Sequence, residues 1–452
     1  MRMRHLALLL LAAGVLFLWG TERQSTLVNT NLNRTDQSAY MDYAKELAKT
    51  DFQYVGGRNR MPLYPGLMAL FYRDGMSDEQ FFAIGKRVGV AIGLVVLAVA
   101  FAVFKQEART IDALTALLVA MFTVFAYKSP FFQSEVLFYG LVLLLFVLLL
   151  SLLRHPRVRT AGLAGLVGGL AHLTKASVLP AILLGVAGLL IHAVIGLRRH
   201  DSDRNCLREQ TFSSRSVLLA PLCCAGVLLA VFLLVIFPYI RTSKARFGHY
   251  FYNVNSTFYM WYDSWTEAEQ GTKAHGDRDG WPVMPEEDIP SFRKYLREHS
   301  VGDIVGRVGG GVGVILSTVM RSYGYAWFVI FYLVALVLLT VQNGGPRRLF
   351  AVFWRTNPSL VLFVTAYFTG YLALYAWATR IVAGNRIVLA QFLPAMFLFA
   401  RSLSFAQDHN LAIRAFGRRV NASAISPVIL LILVLYLCFV FPHRISTKYG
   451  GE

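Results

Sequence analysis

The chain has 452 residues, of which 56% are hydrophobic and 15% charged, whereas an ordinary soluble domain carries about 25% charged residues. Lys and Arg number 44 against 26 Asp and Glu, which gives a formal net charge of +18. This composition argues against a soluble enzyme or a soluble nucleic-acid-binding protein and excludes disorder and collagen. Only four Cys are present, which excludes a disulfide-stapled secreted fold. An all-α polytopic membrane protein remains.

Apolar runs long enough to cross a bilayer recur along the chain. A span needs about 20 mainly apolar residues, because the hydrocarbon core is roughly 30 Å thick and a helix rises about 1.5 Å per residue. Basic residues gather in the loops on one side, which indicates the cytoplasmic face. The run 304–320 is predicted to be interfacial, since a further span there would move the basic segment 346–355 outside. We predict eleven spans in one domain over residues 1–452, near 5–20, 83–104, 111–127, 136–153, 160–174, 178–197, 217–238, 323–341, 358–379, 387–401 and 425–441.

Two long hydrophilic segments, 21–82 and 239–322, then lie on the outer face. In the first, apolar residues recur at i, i+3, i+4 and i+7 from Tyr40 to Leu47, which predicts an amphipathic helix on the membrane surface. A second short apolar stretch follows Arg60. Catalysis or recognition is expected on this face, because the other loops are too short to build a site.

Two acids on the outer face are candidate catalytic residues. Asp36 opens the amphipathic helix, where a carboxylate can take a proton from a hydroxyl group at the interface. Glu135 stands at the edge of a span, where an unpaired acid is costly. Either acid can instead cap the N-terminus of its helix.

Three cations from separate parts of the chain share the outer face: Arg60, Lys175 and Arg386. Such a set suits a phosphate, because charge-assisted hydrogen bonds to its oxygens are strong. Snorkelling to lipid headgroups is the alternative. His172 lies one turn before Lys175 on the same helix face, although a lone His in a Gly-rich span is more often a packing residue. Aromatic residues at 250–265 suit either sugar stacking or an interfacial belt.

The order and sidedness of these features resemble the membrane glycosyltransferases of the C-fold (GT-C) superfamily. The chain is most similar to the branch that contains bacterial aminoarabinose transferases and protein O-mannosyltransferases. The matching elements are the acid in Thr35–Tyr40, the Arg-x-Pro-Leu-Tyr-Pro turn of Arg60–Pro65, Ser134-Glu135, the stretch Gly169–Lys175 with Leu179-Pro180, and Arg386 ahead of Leu393-Pro394.

The resemblance implies transfer of a sugar from a polyprenyl-phosphate carrier to a hydroxyl acceptor, with inversion at the anomeric carbon. Asp36 would be the general base on the acceptor. Arg60 would bind the phosphate, and Lys175 and Arg386 would add charge to the leaving phosphate. Besides these, we predict Glu135 as a second catalytic residue, and Tyr64 and His172 as residues that bind the donor. The reaction would take place in a bacterial inner membrane, in a multi-pass protein whose active site faces the periplasm.

Two departures from the family bear on cofactor and acceptor. Many members carry two adjacent acids in the first outer loop, whereas Gln37 follows Asp36 here. No ligand spacing indicates a metal cluster, so no cofactor is predicted and a divalent metal remains open. The chain ends at Glu452, soon after the last span, and the soluble domain that some relatives use for protein acceptors does not follow. We therefore expect a lipid or glycan acceptor, and no nucleic acid as partner.

Two other functions compete with this prediction. A transporter or flippase for a lipid-linked anion also needs outer-face cations, but it usually shows internal symmetry and charges near the membrane midplane. An O-antigen polymerase or ligase uses Arg and His in a large late outer loop. Segment 239–322 supplies such residues: Arg241, Arg246, His249 and His275.

Overall fold

The computed structural model describes residues 3–204, 214–345, 357–382, 384–386, 388–415 and 417–450. Within these ranges the chain is mainly helical, and the only strands, Ala412–Ala415 and Arg418–Asn421, form one antiparallel hairpin. The predicted all-α fold is confirmed. The main helices are α1 (Met3–Arg23), α2 (Gln37–Lys49), α3 (Leu63–Ala69), α4 (Asp78–Glu107), α5 (Thr110–Ala120, continued by a π-helical turn to Ala126–Lys128), α6 (Glu135–Arg154), α7 (Val158–Thr174), α8 (Leu179–Arg204), α9 (Ser214–Phe247), α10 (Phe292–Glu298), α11 (Val301–Arg321), α12 (Tyr325–Gln342), α13 (Pro358–Ala378), α14 (Phe392–Asp408), α15 (Ile425–Phe439) and α16 (Phe441–Thr447).

Eleven described helices of at least 18 residues are apolar enough to cross a membrane, the number predicted. Their membership differs from the prediction at two places. Val301–Arg321 is among them, although we expected it to be interfacial. The predicted span near 160–174 corresponds to α7, which has 17 residues and is just too short for this count.

Helix α7 nevertheless runs from one end of the bundle to the other. Just before it, Arg154 pairs with Glu107 at one end, and just after it Lys175 pairs with Glu135 at the opposite end. Its glycines bring the backbone close to α9, because a Cβ added at Gly165 would lie 2.6 Å from the carbonyl oxygen of Leu228. This close packing of small residues is typical of helices inside membranes.

Helix α11 has both ends at the same end of the bundle. Near its start, Arg307 Nε donates to the carbonyl oxygen of Trp377, 3.2 Å away. Just after its end, Ser322 Oγ accepts from Asn385 Nδ2 at 2.8 Å. Since Trp377 and Asn385 lie on either side of the turn that follows α13, α11 lies across this end of the bundle. The contacts favour the predicted interfacial placement, with α7 as the eleventh crossing helix.

The first outer segment forms the predicted amphipathic helix, but protein covers its apolar face. Tyr40, Ala44 and Leu47 of α2 are 4%, 0% and 5% exposed. They belong to one cluster with Tyr64 of α3 and Phe132 of the loop before α6. This packing fixes the position of the start of α2 relative to the spanning helices.

Part of the 250–265 aromatic segment forms a small core of its own. Tyr252 and Tyr259 are buried with Phe258, and Phe247 stacks on Tyr252 at a centroid distance of 4.3 Å. Tyr250, by contrast, is exposed. The segment therefore folds against the end of α9, and only a minority of its rings face outward.

A buried carboxylate joins three helices at the opposite end of the bundle. Asp112 of α5 is fully buried and accepts hydrogen bonds from Ser404 Oγ at 2.7 Å, Gln407 Nε2 at 2.9 Å and Ser426 Oγ at 2.6 Å. The donors belong to α14 and to the start of α15. This network gives the carboxyl group hydrogen-bond partners, without which its burial would be costly.

Candidate active site

Asp36 lies at the first turn of α2 and is held between two arginines. Its Oδ1 lies 2.5 Å from Arg60 Nη2, and its Oδ2 lies 2.6 Å from Arg386 Nη1. The carboxylate makes no hydrogen bond to the N–H groups of the helix, although Asp36 occupies the N-cap position. The side chain therefore forms an ion cluster rather than the cap that the sequence also allowed.

The electrostatics keep Asp36 ionised. Burial alone would raise the pKa of Asp36, but Arg60 and Arg386, with a further contribution from Lys175, hold it below its ordinary value. Arg386 is fixed in turn, because its carbonyl oxygen accepts from Tyr139 Oη at 3.0 Å. Because Arg60 and Arg386 hold both oxygens of Asp36, the carboxylate can accept a proton only after these arginines turn to another anion.

Glu135 and Lys175 form a second ion pair beside the first. Lys175 Nζ lies 2.7 Å from Glu135 Oε1, and Glu135 is 2% exposed. Lys175 has extended backbone dihedrals where α7 ends, and this break turns its side chain toward the bundle end. Glu135 places Lys175 next to the Asp36 cluster.

A cavity of about 420 Å³ opens beside these charges. This volume is typical of sites for small ligands. Five predicted residues line it: Asp36, Arg60, His172, Lys175 and Arg386. The remaining walls are mostly apolar or uncharged and include Asn59, Met61, Thr174, Ala176, Ser177, Leu179, Pro180, Tyr239, Phe251, Tyr252, Asn253, Asn255, Ser256, Tyr259, Met260, Leu374, Tyr375, Ala378, Ile381 and Val382.

The structure does not bring all the predicted site residues to this cavity. Tyr64 is 1% exposed and packs edge-on against Tyr40 and Phe132, behind the cavity wall. Glu135 reaches the cavity only through Lys175. His172 does line it, with its ring edge-on to Phe232 at 5.7 Å. The roles proposed for Tyr64, Glu135 and His172 remain predictions.

Gln37, at the position of the second acid of diacid relatives, is turned into the protein. It is fully buried and forms a reciprocal amide pair with Asn29, with distances of 3.0 and 2.9 Å. Both oxygens of Asp36 are already held by guanidinium groups. The described residues contain no group of three His, Cys, Asp or Glu side chains able to hold a metal. This donor set does not fit a divalent cation, because side-chain cations already neutralise the nearby carboxylates.

Several functional candidates were missed in the sequence. Asn59 and Asn255 line the cavity next to Arg60, and Asn255 Nδ2 donates to the carbonyl oxygen of Asn59 at 3.2 Å. Arg58 is buried, and its guanidinium lies 4.1 Å from the ring centroid of Tyr239. Arg58 thereby fastens the first outer segment to α9. The only sequence signal was the adjacent Arg-x-Pro-Leu-Tyr-Pro turn.

The basic residues that suggested a polymerase or ligase do not line the cavity. Arg246 donates to the carbonyl oxygen of Val55 at 2.5 Å, and His249 stacks on Trp281 at 4.1 Å. His275 Nδ1 lies 2.8 Å from the carbonyl oxygen of Gly271. The Arg246 contact joins the second outer segment to the first, and the two histidine contacts lie within the second segment.

Comparison with protein-family models gives no match, and comparison with curated protein sequences gives none either. Solved structures do match. The apo oligosaccharyltransferase of Archaeoglobus fulgidus has a TM-score of 0.52 at 12% identity, covering 97% of this chain and 56% of that chain. The archaeal oligosaccharyltransferase AglB from the same organism, in complex with an inhibitory peptide and a dolichol-phosphate, gives 0.53 at 13% identity with the same coverage. Apo ArnT from Cupriavidus metallidurans gives 0.33 at 13% identity, covering 83% of this chain and 77% of that one.

This chain thus spans just over half the length of the archaeal oligosaccharyltransferase that it matches. At 12–13% identity the likeness describes the fold, and the two archaeal structures, with TM-scores above 0.5, carry it. The resemblance is confirmed at the level of the fold: the chain is a polytopic, mainly helical membrane protein that shares the fold of the archaeal oligosaccharyltransferase.

Proposed function

We propose that this protein is a membrane glycosyltransferase that moves a sugar from a polyprenyl-phosphate donor to a hydroxyl group of a lipid or glycan acceptor. One observation carries the proposal: an ionised Asp36 between two arginines, with Lys175 nearby, at the edge of a largely apolar cavity at one end of the helical bundle. Of the two archaeal structures with TM-scores above 0.5, one is in complex with a dolichol-phosphate.

The cations suit the phosphate of such a donor. They come from the first outer segment (Arg60), the break between α7 and α8 (Lys175) and the loop before α14 (Arg386). Guanidinium groups bind phosphate oxygens through two parallel charge-assisted hydrogen bonds. The apolar wall around Leu179 and Ile381 would accommodate the first isoprene units of the carrier.

Asp36 would then act as the general base. When Arg60 and Arg386 turn to the phosphate, Asp36 loses its partners and becomes able to take the acceptor proton. The acceptor oxygen attacks the anomeric carbon from the side opposite the phosphate, so the configuration inverts. The anomeric carbon–oxygen bond breaks, and its electron pair stays on the phosphate oxygen, where the cations stabilise the growing charge.

We place this reaction at the outer leaflet of a bacterial inner membrane, with the site facing the periplasm. The positive-inside rule supports this orientation, because the opposite end of the bundle carries Arg109, Arg154 and Arg401. A hydroxyl acceptor fits a site whose base is a single carboxylate.

The test compares Asp36→Asn, Arg60→Ala and a control variant in membranes from a strain that lacks this protein. These membranes supply the natural acceptor, and release of the polyprenyl-phosphate carrier is measured. Asp36→Asn should lower carrier release by about 10²–10⁴-fold, the contribution of a positioned base, and should retain binding of undecaprenyl phosphate. Arg60→Ala should weaken that binding roughly 10–100-fold, since a hydrogen bond to a charged group contributes about 1.5–3 kcal/mol.

Arg241→Ala is the matched control, because Arg241 is exposed near the end of α9, at the same end of the bundle, and does not line the cavity. It should behave like wild type. If Asp36→Asn and Arg60→Ala both consume donor normally, the proposed site is wrong. Movement of intact donor across the membrane, with no free polyprenyl phosphate, would instead identify a transporter.

A further inference from the structure

The carboxylate of Asp36 occupies the place on two arginines that the proposed function gives to a phosphate. Its Oδ1 contacts Arg60 Nη2 at 2.5 Å, and its Oδ2 contacts Arg386 Nη1 at 2.6 Å. Both arginines also line the cavity. Guanidinium groups bind carboxylates and phosphates through the same charge-assisted hydrogen bonds. Asp36 therefore competes for these arginines with any phosphate that enters the cavity.

The nitrogens of Arg60 leave little room for a second anion. Nη2 is held by Asp36, Nη1 donates to the carbonyl oxygen of Asn59 at 2.9 Å, and Nε is buried without a partner. An arginine holds phosphate best through two of its nitrogens, and any two that Arg60 could use include one that is already engaged. A phosphate beside Asp36 would also be repelled by its carboxylate, because this partly buried site is screened less than bulk water.

The loss of the arginines would change the basicity of Asp36. Burial raises the pKa of Asp36, whereas Arg60 and Arg386, with a further contribution from Lys175, hold it below its ordinary value. When the two arginines turn to a phosphate, the effect of burial remains and much of their attraction is lost. The carboxylate then binds a proton more readily. Arrival of the phosphate thus activates the base.

We infer that the carboxylate of Asp36 and the phosphate of the carrier take turns on Arg60 and Arg386, so that donor binding is the obligatory first step. This inference rests on the proposed function and adds an order of events to it. Before the donor binds, the arginines hold Asp36, which cannot accept a proton from the acceptor. A hydroxyl group that enters the site early, water included, is therefore not activated.

The same exchange releases the carrier. During transfer the acceptor oxygen bonds to the anomeric carbon, its proton goes to Asp36, and the bond from that carbon to the phosphate oxygen breaks with its electron pair on the oxygen. The protonated Asp36 is neutral and leaves both arginines to the phosphate. Once the glycosylated acceptor has left, Asp36 gives its proton to water, and its carboxylate displaces the phosphate from the arginines. Asp36 is thus the base in transfer and the competing anion in release.

The test measures binding of undecaprenyl phosphate to the protein purified in detergent, with undecaprenol as the probe that lacks the phosphate. Asp36→Asn removes the competing charge, so it should bind undecaprenyl phosphate at least about tenfold more tightly than wild type. Loss of a single hydrogen bond to a charged group changes an affinity by about this factor. Undecaprenol should bind equally to both proteins. If Asp36 instead orients the arginines toward the phosphate, Asp36→Asn should bind undecaprenyl phosphate more weakly.

Two further variants separate the competing charge from other effects. Asp36→Glu keeps a carboxylate at this position and should not show the tenfold gain. Asp42→Asn makes the same change of charge further along α2, where the side chain of Asp42 is 69% exposed and does not line the cavity. It should bind undecaprenyl phosphate like wild type.

A structure of the wild-type protein with undecaprenyl phosphate gives a second readout. Arg60 and Arg386 should contact the phosphate and lie more than about 4 Å from the oxygens of Asp36, beyond the limit of an ion pair.

The outcomes separate the two proposals. The inference is wrong if the contacts of Asp36 with the arginines persist in that complex, or if Asp36→Asn binds undecaprenyl phosphate no more tightly than wild type. An equal gain in Asp36→Glu, in Asp42→Asn or with undecaprenol would also overturn it. In each of these cases the proposed function stands. If undecaprenyl phosphate binds neither wild type nor Asp36→Asn, the proposed function fails and the inference fails with it.

Discussion

The buried amide pair of Asn29 and Gln37 should determine where Asp36 stands. Gln37 Oε1 accepts from Asn29 Nδ2 at 3.0 Å and from the backbone N–H of Phe132 at 2.9 Å, while its Nε2 donates to Asn29 Oδ1 at 2.9 Å. Gln37→Ala removes all three bonds and leaves Asn29 Oδ1 and the Phe132 N–H buried without a partner. Each unsatisfied group costs about 1–3 kcal/mol, so the expected loss of stability is roughly 2–6 kcal/mol.

The consequence should extend to catalysis, because this pair ties the first outer segment to the loop before α6. Asn29 Nδ2 also donates to the carbonyl oxygen of Pro130 at 2.8 Å. We expect Gln37→Ala to lower both the apparent unfolding temperature in detergent and kcat. Asn29→Ala should do the same, and the double variant should lose less than the sum of the two, with a coupling of about 0.5–3 kcal/mol.

Gln37→Glu tests whether an acid at this position could face the cavity and bind a metal ion. It restores the adjacent acids of diacid relatives, but its carboxylate would lie in the amide pair, away from the cavity. We expect lower stability, because Asn29 Oδ1 loses its donor, and the same turnover with and without a chelator. If added divalent cations specifically stimulated Gln37→Glu, its side chain would face the substrate and our description of this position would be wrong.

Three further predictions follow from the charged network. The pKa of Asp36 is lowered, so the acidic limb of the pH profile of kcat/KM should lie below the range of an ordinary Asp. Arg386→Gln should move that limb to higher pH. If the limb does not move, it belongs to another group. A double-mutant cycle of Glu135→Gln and Lys175→Met in thermal unfolding should give a coupling of about 0.5–3 kcal/mol, because their ion pair is largely buried; simple additivity would contradict it. Asp112→Asn should lower stability by about 1–3 kcal/mol, because it replaces one acceptor oxygen by an NH2 donor that faces the donors Ser404, Gln407 and Ser426. The kcat of the folded protein should not change; a lower kcat would link this distant network to the site.

Sequence reasoning succeeded where local pattern and sidedness carry the information. Apolar runs of span length predicted the helical bundle, and the spacing from Tyr40 to Leu47 predicted α2. Placing Arg60, Lys175 and Arg386 on the outer face was enough to expect them near each other. The structure brings all three to one cavity with Asp36.

The sequence could not supply contacts between distant parts of the chain. Asp36 and Arg386 are separated by 350 residues, and no local pattern couples them. The pairing of Gln37 with Asn29 was equally hidden, because a polar residue on an amphipathic helix can face water or a buried partner. Judged by length, α11 is a better candidate for a membrane span than α7. Only the contacts at the ends of the two helices indicate that α7 crosses the bundle and that α11 lies across one end of it.

The position of Asp36 shows how local and long-range interactions compete. The sequence favoured two roles for this residue, N-cap and catalytic base, and the structure keeps the cap position while directing the carboxylate elsewhere. An N-cap hydrogen bond contributes about 0.5–2 kcal/mol, whereas hydrogen bonds to charged partners contribute about 1.5–3 kcal/mol each. Two guanidinium contacts therefore outweigh one cap. The helix start sets the height of Asp36 above the bundle, and Arg60 and Arg386 decide which way its carboxylate points.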